Sequence, residues 1–240
     1  MAVSATFLFS LSGLQAARDR QAVSAHNVAN VSTPGFKSQR AVQSDQKTGG
    51  TGIRSVDSQA QAGPVIRTGG PLDLAIAGNG FFQLQSPTGE TVYSRAGNFK
   101  IDGLGRLTDS GGRMLQPPVA VLPGADSILV TSAGQISAVL PGGAIERVGQ
   151  MELAHFSNPA GLNRLGENLM GPSASSGPPV VGIPGQGVFG SILPGALEAS
   201  NVSLVDQMVE QIIDQRSFEA NLKPIRAADE MLGSLLDLKQ

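Results

Sequence analysis

Residues 72–85 read LDLAIAGNGFFQLQ, two short apolar runs on either side of Asn79-Gly80. An Asn-Gly pair between apolar runs is the strongest short-range hairpin signal, because both residues tolerate the positive φ of a tight turn. The stretch therefore predicts two strands joined by a turn. FKIDGLGRLT (residues 99–108) repeats the pattern at Asp102-Gly103. Beyond it, AVLPGADSILVTSAGQISAVLPGGAIERVGQMELAHF (residues 120–156) has several apolar runs separated by Gly, Pro, Asp or Ser. No helical spacing lies between these runs, which predicts an antiparallel sheet. Residues 71–199 are read as one β domain, loop-like from 157 onward.

Working outward toward the N-terminus, residues 38–70 are polar and small and carry almost no large apolar side chains. Such a stretch cannot build a core of its own, so residues 36–70 are read as a linker or extended arm. Before it, Phe7, Leu11, Leu14, Ala22, Ala25 and Val28 recur at spacings of three, four or their sums. This predicts an amphipathic helix that Pro34-Gly35 stops, giving an N-terminal helical segment of residues 1–35.

Outward in the other direction, residues 200–240 read as a long helix. Ser203 followed by Asp206 resembles an acidic capping box. Leu204, Met208, Phe218, Leu222, Ile225, Leu232 and Leu236 follow a four-three heptad spacing, interrupted by Gln211, Gln215 and Asp229. Val205, Val209 and Ile212 widen the stripe. Pro224 lies inside this segment and is expected to kink or divide the helix. The fold class is therefore α+β: two terminal helices pairing as a coiled coil, a central antiparallel β domain and an extended arm. The apolar stripes are wider than one helix partner covers, so further neighbours are expected.

The composition removes whole classes of function. The 240 residues include no cysteine and only two histidines, so disulfides, thiolate catalysis and Cys-ligated metals are excluded. Neither His26 nor His155 belongs to a ligand-spaced pair. Seventeen basic against nineteen acidic residues leave no basic field for nucleic acid or acidic lipid. The apolar runs are too interrupted for a membrane span. An apolar start without a basic n-region does not predict a cleaved signal peptide. Gly185, Gly187 and Gly190 spell G-x-G-x-x-G, but Pro194-Gly195 follow and deny the phosphate a helix N-terminus. Asp102 and Asp109 sit among glycines and read as turn formers rather than a hydrolytic carboxylate pair. Asn30-Val31-Ser32 and Asn201-Val202-Ser203 read as helix caps. No cofactor is called for.

NVANVSTPGFK (residues 27–37) reads physically as a helix stop, a turn rich in side-chain hydrogen bonders, and Phe36 re-anchoring the chain. At these residues the chain resembles the rod and hook proteins of the bacterial flagellum. QAVSAHNVANVSTPGFK (21–37) is similar to that family's N-terminal signature. GPLDLAIAGNGFFQL (70–84) with YSRAGNFKIDGLGRLTDSGG (93–112) resembles the start of its β domain. GALEASNVSLVDQMVEQIIDQRSFEANLKPIRAADEML (195–232) resembles its C-terminal signature.

The resemblance implies a structural, non-enzymatic subunit whose terminal helices line the inner tube of a hollow axial polymer and whose arm and β domain form its outer wall. It implies export through the flagellar type III apparatus without a cleaved signal, and a place in the periplasm-spanning rod, where torque is transmitted. Implied partners are further copies of the chain, other rod subunits, hook protein, the surrounding ring proteins and the export apparatus, with neither nucleic acid nor membrane insertion. NRLGENLM (163–170) and GNGFFQL (78–84) look more like the distal rod, with a proximal rod subunit as the alternative. A secreted β-rich adhesin or glycan-binding protein is the competing class. On the rod reading, assembly contacts fall on Leu11, Leu14, Asn27, Asn30, Thr33, Gly35 and Phe36. In the C-terminal helix they fall on Leu204, Met208, Ile212, Phe218, Leu222, Ile225, Leu232 and Leu236.

Overall fold

The computed structural model describes residues 2–47, 49–121 and 124–237, without the side chains of residues 2–5, 232 and 235–237. Terminal helices flank a central, antiparallel β-rich region. The chain divides into two compact units. Unit 1 gathers Met1–Val31, Ser38–Gln59 and Val202–Gln240; unit 2 holds Ser32–Lys37 and Ala60–Asn201.

Unit 1 is two helices and a hairpin. Helix α1 spans Ala2–Ala29 and α2 spans Leu204–Asp237. Asn30 caps α1 by donating from Nδ2 to the carbonyl of His26 (2.9 Å). Ser203 caps α2, its Oγ accepting from the amide of Asp206. The cap reading does not extend to Asn201, which bonds the carbonyl of Gln61 instead. Helix α2 also runs through Pro224 as one helix, so the expected division does not occur. Within the stretch read as an arm, β1 (Gln39–Asp45) and β2 (Thr51–Ser58) form an antiparallel hairpin. This hairpin borders α1: Thr51 donates its amide to Ser12 Oγ (3.2 Å). It needs no apolar core because α1 provides the surface it lacks.

Unit 2 is built of short strands: β3 (Val65–Arg67), β4 (Leu74–Ala77), β5 (Phe81–Gln85), β6 (Thr91–Ser94), β7 (Lys100–Ile101) and β8 (Leu107–Thr108). After them come β9 (Met114–Gln116), β10 (Ser127–Val130), β11 (Gln135–Val139), β12 (Ile145–Gln150) and β13 (Leu153–His155). The last five are β14 (Asn163–Gly166), β15 (Leu169–Gly171), β16 (Val180–Gly182), β17 (Ser191–Pro194) and β18 (Ala196–Glu198). The main sheet runs β14-β15-β6-β5-β9-β8-β7, with β13 pairing both β5 and β16. Strands β10-β11-β12 form a second sheet, and β4-β17 and β3-β18 are two-stranded ribbons. Leu74, Ile76, Phe82, Leu84, Leu107, Leu115, Ile136, Leu153 and Ile192 close one apolar core between these elements. Phe81, Tyr93, Ala154, Phe156 and Leu162 form a smaller one.

The Asn79-Gly80 hairpin is not there. Strand β4 pairs with β17, and β5 pairs with β6, β9 and β13, so the residues between β4 and β5 carry the chain from one sheet to another. What does recur is a five-residue turn at 86–90, 102–106, 109–113, 131–135 and 140–144, and the same pair of backbone bonds links Gln46 to Gly50 and Gly49. In each, the first amide bonds the fifth carbonyl and the fourth amide returns to the first carbonyl. The fourth residue is always glycine with φ between +75° and +86°. This is the three-residue loop with a left-handed bulge position, where a side chain would be strained. Asp102 and Asp109 belong to two of these turns as turn formers. Each carboxylate accepts from the amides two and four residues on and from the guanidinium of Arg106 or Arg113.

Candidate assembly surface

The seam between α1 and α2 is polar and small. Among the described side chains of α2 the buried ones are Gln207, Asp214 and Ala228, with Asn221 half-buried between them, one every seven residues. On α1 they include Ser10, Leu14, Ala17, Ser24 and Asn27. Arg20 of α1 pairs with Asp214 of α2 at 2.5 Å, the acid almost wholly buried. Gly13 lies so close to Asn221 that a Cβ there would meet its amide at 2.7 Å. Asn27 joins three elements. Its Oδ1 accepts from the Gln39 amide and its Nδ2 donates to the Gln39 carbonyl, as a strand neighbour would. Nδ2 also donates to Gln207 Oε1 at 2.9 Å.

The apolar heptad line lies beside this seam and faces outward. Leu204, Met208 and Phe218 of this line are 44%, 55% and 37% exposed, and Ile212 beside it is 54% exposed. Val205, Val209 and Ile213 extend the exposed face, and Leu222 and Ile225 are half-buried. The side chains of Leu232 and Leu236 lie outside the described residues. On α1, Leu14 is buried, while Leu11 is exposed together with Phe7, Leu8 and Phe9. Removing apolar surface from water is worth roughly 25 cal/mol per Å², so a face this wide favours association.

Asn30 stays in unit 1 as the α1 cap, whereas Thr33, Gly35 and Phe36 belong to unit 2. Thr33 and Pro34 are half-buried, and Gly35 and Phe36 are buried. Gly35 has φ +69°, and a Cβ on it would fall 2.5 Å from the Ala96 amide nitrogen. It is a close-packing glycine as well as a turn glycine. Lys37 and Glu198 were not singled out from the sequence, yet both are buried and paired with each other. Burial lowers the pKa of Lys37, against the pull of Glu198. Among the described residues no cluster of three or more metal-ligating side chains occurs, and no helix is long and apolar enough to cross a membrane.

Three family models match the chain: Flagella basal body rod protein (residues 7–37), Flagellar hook protein FlgE/F/G D1 domain (75–138) and Flagellar basal body rod FlgEFG protein C-terminal (193–238). It is 35% identical to the Caulobacter vibrioides flagellar basal-body rod protein FlgG, over 95% of this chain and 97% of that one. Against FlgG of Bacillus subtilis the identity is 33%, with 96% and 97% covered. Escherichia coli FlgF is 32% identical, with 90% of each chain covered. The chain belongs to the flagellar basal-body rod protein family.

As a rod protein it is a structural subunit of the flagellar basal body, not an enzyme, and assembles with other rod and hook subunits. The rod-family matches cover α1 from residue 7 onward, all of α2 and the segment 32–37, the parts that carry the exposed apolar face and the close-packed turn. The sequence held a signal for the polar seam as well. Gln207, Asp214, Asn221 and Ala228 recur every seven residues, parallel to the apolar line. A reading that equates inward with apolar passes over them.

Proposed function

We propose that this rod protein is a subunit of the distal rod and polymerises through the outward apolar faces of its helices into a hollow helical tube. The relatives named FlgG, the distal-rod protein, support the distal position. One observation carries the assembly surface. Leu204, Val205, Met208, Val209, Ile212 and Ile213 are exposed on a helix whose buried line is already filled by Gln207 and Asp214. In this reading α1 and α2 pair as a coiled coil lining the tube. The working parts are 1–35, the arm at 36–70, the β domain at 71–199 and 200–240. The tube crosses the periplasm, transmits torque and conducts exported subunits. Its partners include the ring proteins and the type III export apparatus, through which the chain leaves without a cleaved signal.

The test is Ile212→Asp, expressed in a strain whose own distal-rod gene is deleted. Restoration by the unchanged chain but not by a proximal-rod gene separates the two rod positions. The variant should fold and be exported, yet leave rods short, hooks absent and cells non-motile. Full-length rods containing Ile212→Asp would show that this face is not an assembly interface.

A further inference from the structure

Residues 32–37 lie in unit 2, although the chain before and after them belongs to unit 1. None of them enters either apolar cluster of unit 2. Apart from the buried Phe36 side chain, they are held by polar contacts along their length. Asn168 Nδ2 donates to the Pro34 carbonyl (3.1 Å), the Gly35 amide to the Glu198 carbonyl (2.7 Å) and the Asn201 amide to the Phe36 carbonyl (3.4 Å). Phe36 is buried beneath the Arg164 guanidinium, 5.6 Å from the ring centre. At the end, Lys37 Nζ meets Glu198 Oε1 and donates to the Gln61 carbonyl at 2.8 Å.

Glu198 gathers more than Lys37. Its Oε1 also accepts from the Gly63 amide (3.0 Å), and its Oε2 lies 3.3 Å from Arg95 Nη1. Arg95 is fixed in turn by the Gly78 carbonyl (2.9 Å) and by the Phe81 ring beneath it. Segments 32–37, 60–63 and 196–201 are the parts of unit 2 from which the chain passes to unit 1. One buried carboxylate, Glu198 of the third, touches the other two at Lys37 and Gly63. Two cations converge on that one anion inside the protein, so removing the carboxylate leaves both uncompensated.

We propose that residues 32–37 form a strap that docks onto an already closed β core, and that Glu198 is the catch holding the strap and the other two connecting segments together. The strap is a separate, polar-latched element because the apolar clusters close without it. Opening exposes Lys37 and the amides of 35 and 63 while the sheets stay intact. The proposal does not depend on what the chain assembles with.

Hydrogen exchange of the full-length monomer, followed by mass spectrometry, tests this on Glu198→Gln. Exchange in 32–37 and in 60–64 should accelerate together, by tenfold or more, while peptides over β5, β9 and β11 keep wild-type protection. Trypsin should then cut after Lys37 at least tenfold faster, with the buried Arg113 of the same unit still uncut. Lys37→Met removes a cation but leaves Glu198 with Arg95 and Gly63, and should free 32–37 with the core unchanged. Acceleration of the whole unit in both variants would overturn the proposal, since the triad would then be part of the core. Unchanged exchange at 32–37 in Glu198→Gln would overturn it too.

Discussion

The two units bury opposite chemistries. Unit 2 puts Leu74, Phe82, Leu84, Leu115 and Ile136 inside and finishes its core within one chain. Unit 1 puts Gln207, Asp214, Arg20 and Asn27 between its helices and leaves Met208, Val209, Ile212 and Ile213 outside. A unit that is complete alone derives its stability from its own apolar burial. A unit with a polar seam and a bare apolar face leaves in water apolar surface that association would bury. On the proposed function, that contrast suits a subunit that completes its burial in a lattice, since a helix pair already satisfied by itself gains little from joining one.

The sharpest way to break the contrast is to cut into each unit equally. Leu115→Ala removes a fully buried side chain and should destabilise unit 2 by about 2–5 kcal/mol, read from its unfolding transition. In unit 1, Asp214→Ala takes away a nearly buried acid whose partner Arg20 keeps partial access to water. Its cost should fall between those of exposed and buried pairs, about 1–2 kcal/mol, seen as lost helix content in the monomer. A loss from Asp214→Ala as large as that from Leu115→Ala would mean that the seam, not the outward face, dominates unit 1.

Gly143→Ala isolates backbone conformation from packing. Gly143 has φ +82° and nothing within 4 Å of where a Cβ would sit, so its cost is conformational alone, about 1–2 kcal/mol. A neutral result would show that the repeated turn does not depend on its glycine. Smaller still, Ile212→Ser on the exposed face of α2 should shift monomer stability by no more than about 0.5 kcal/mol, because little is lost from a side chain already in water. A larger loss in the monomer would place Ile212 in the intrachain packing and undo the contrast between the units.

Which features were legible follows from how far apart their partners lie. The helices were read from spacings within one or two turns, and the turn glycines at 105, 112, 134 and 143 sit inside or beside stretches read as strands and turns, whereas the turns at Gly49 and Gly89 were not read. Asn79-Gly80 misled because β4 finds its partner at Ser191–Pro194, far beyond any local reading. The Lys37–Glu198 pair spans 161 positions and leaves no local trace. The α2 seam failed for a different reason. Periodicity places a stripe on one side of a helix, but does not say whether that side faces the chain's own α1 or another molecule. Here the apolar stripe and the polar one run side by side, and the chain uses the polar one for itself.

The twin turns of unit 2 sharpen the comparison within one unit, at the smallest scale. Asp102 and Asp109 hold identical frames, but the Asp109–Arg113 pair is nearly buried while Asp102–Arg106 is open to water. The Arg106 amide, assisted by the Arg106 side chain and the Leu104 amide, holds the Asp102 carboxyl below its ordinary value of 3.8. A carboxyl whose pKa is depressed by folding stabilises the folded state fully above its unfolded pKa. That contribution falls away as pH drops through the folded value. Asp102→Asn should therefore lower the melting temperature of unit 2 slightly at neutral pH, and the two proteins should converge in strong acid, below the depressed pKa. Solvent screening keeps the difference small. Carboxyl NMR titration reads the same quantity directly, with the Asp102 midpoint expected below 3.8. A midpoint at or above that value would show that the turn hydrogen bonds do not favour the ionised acid.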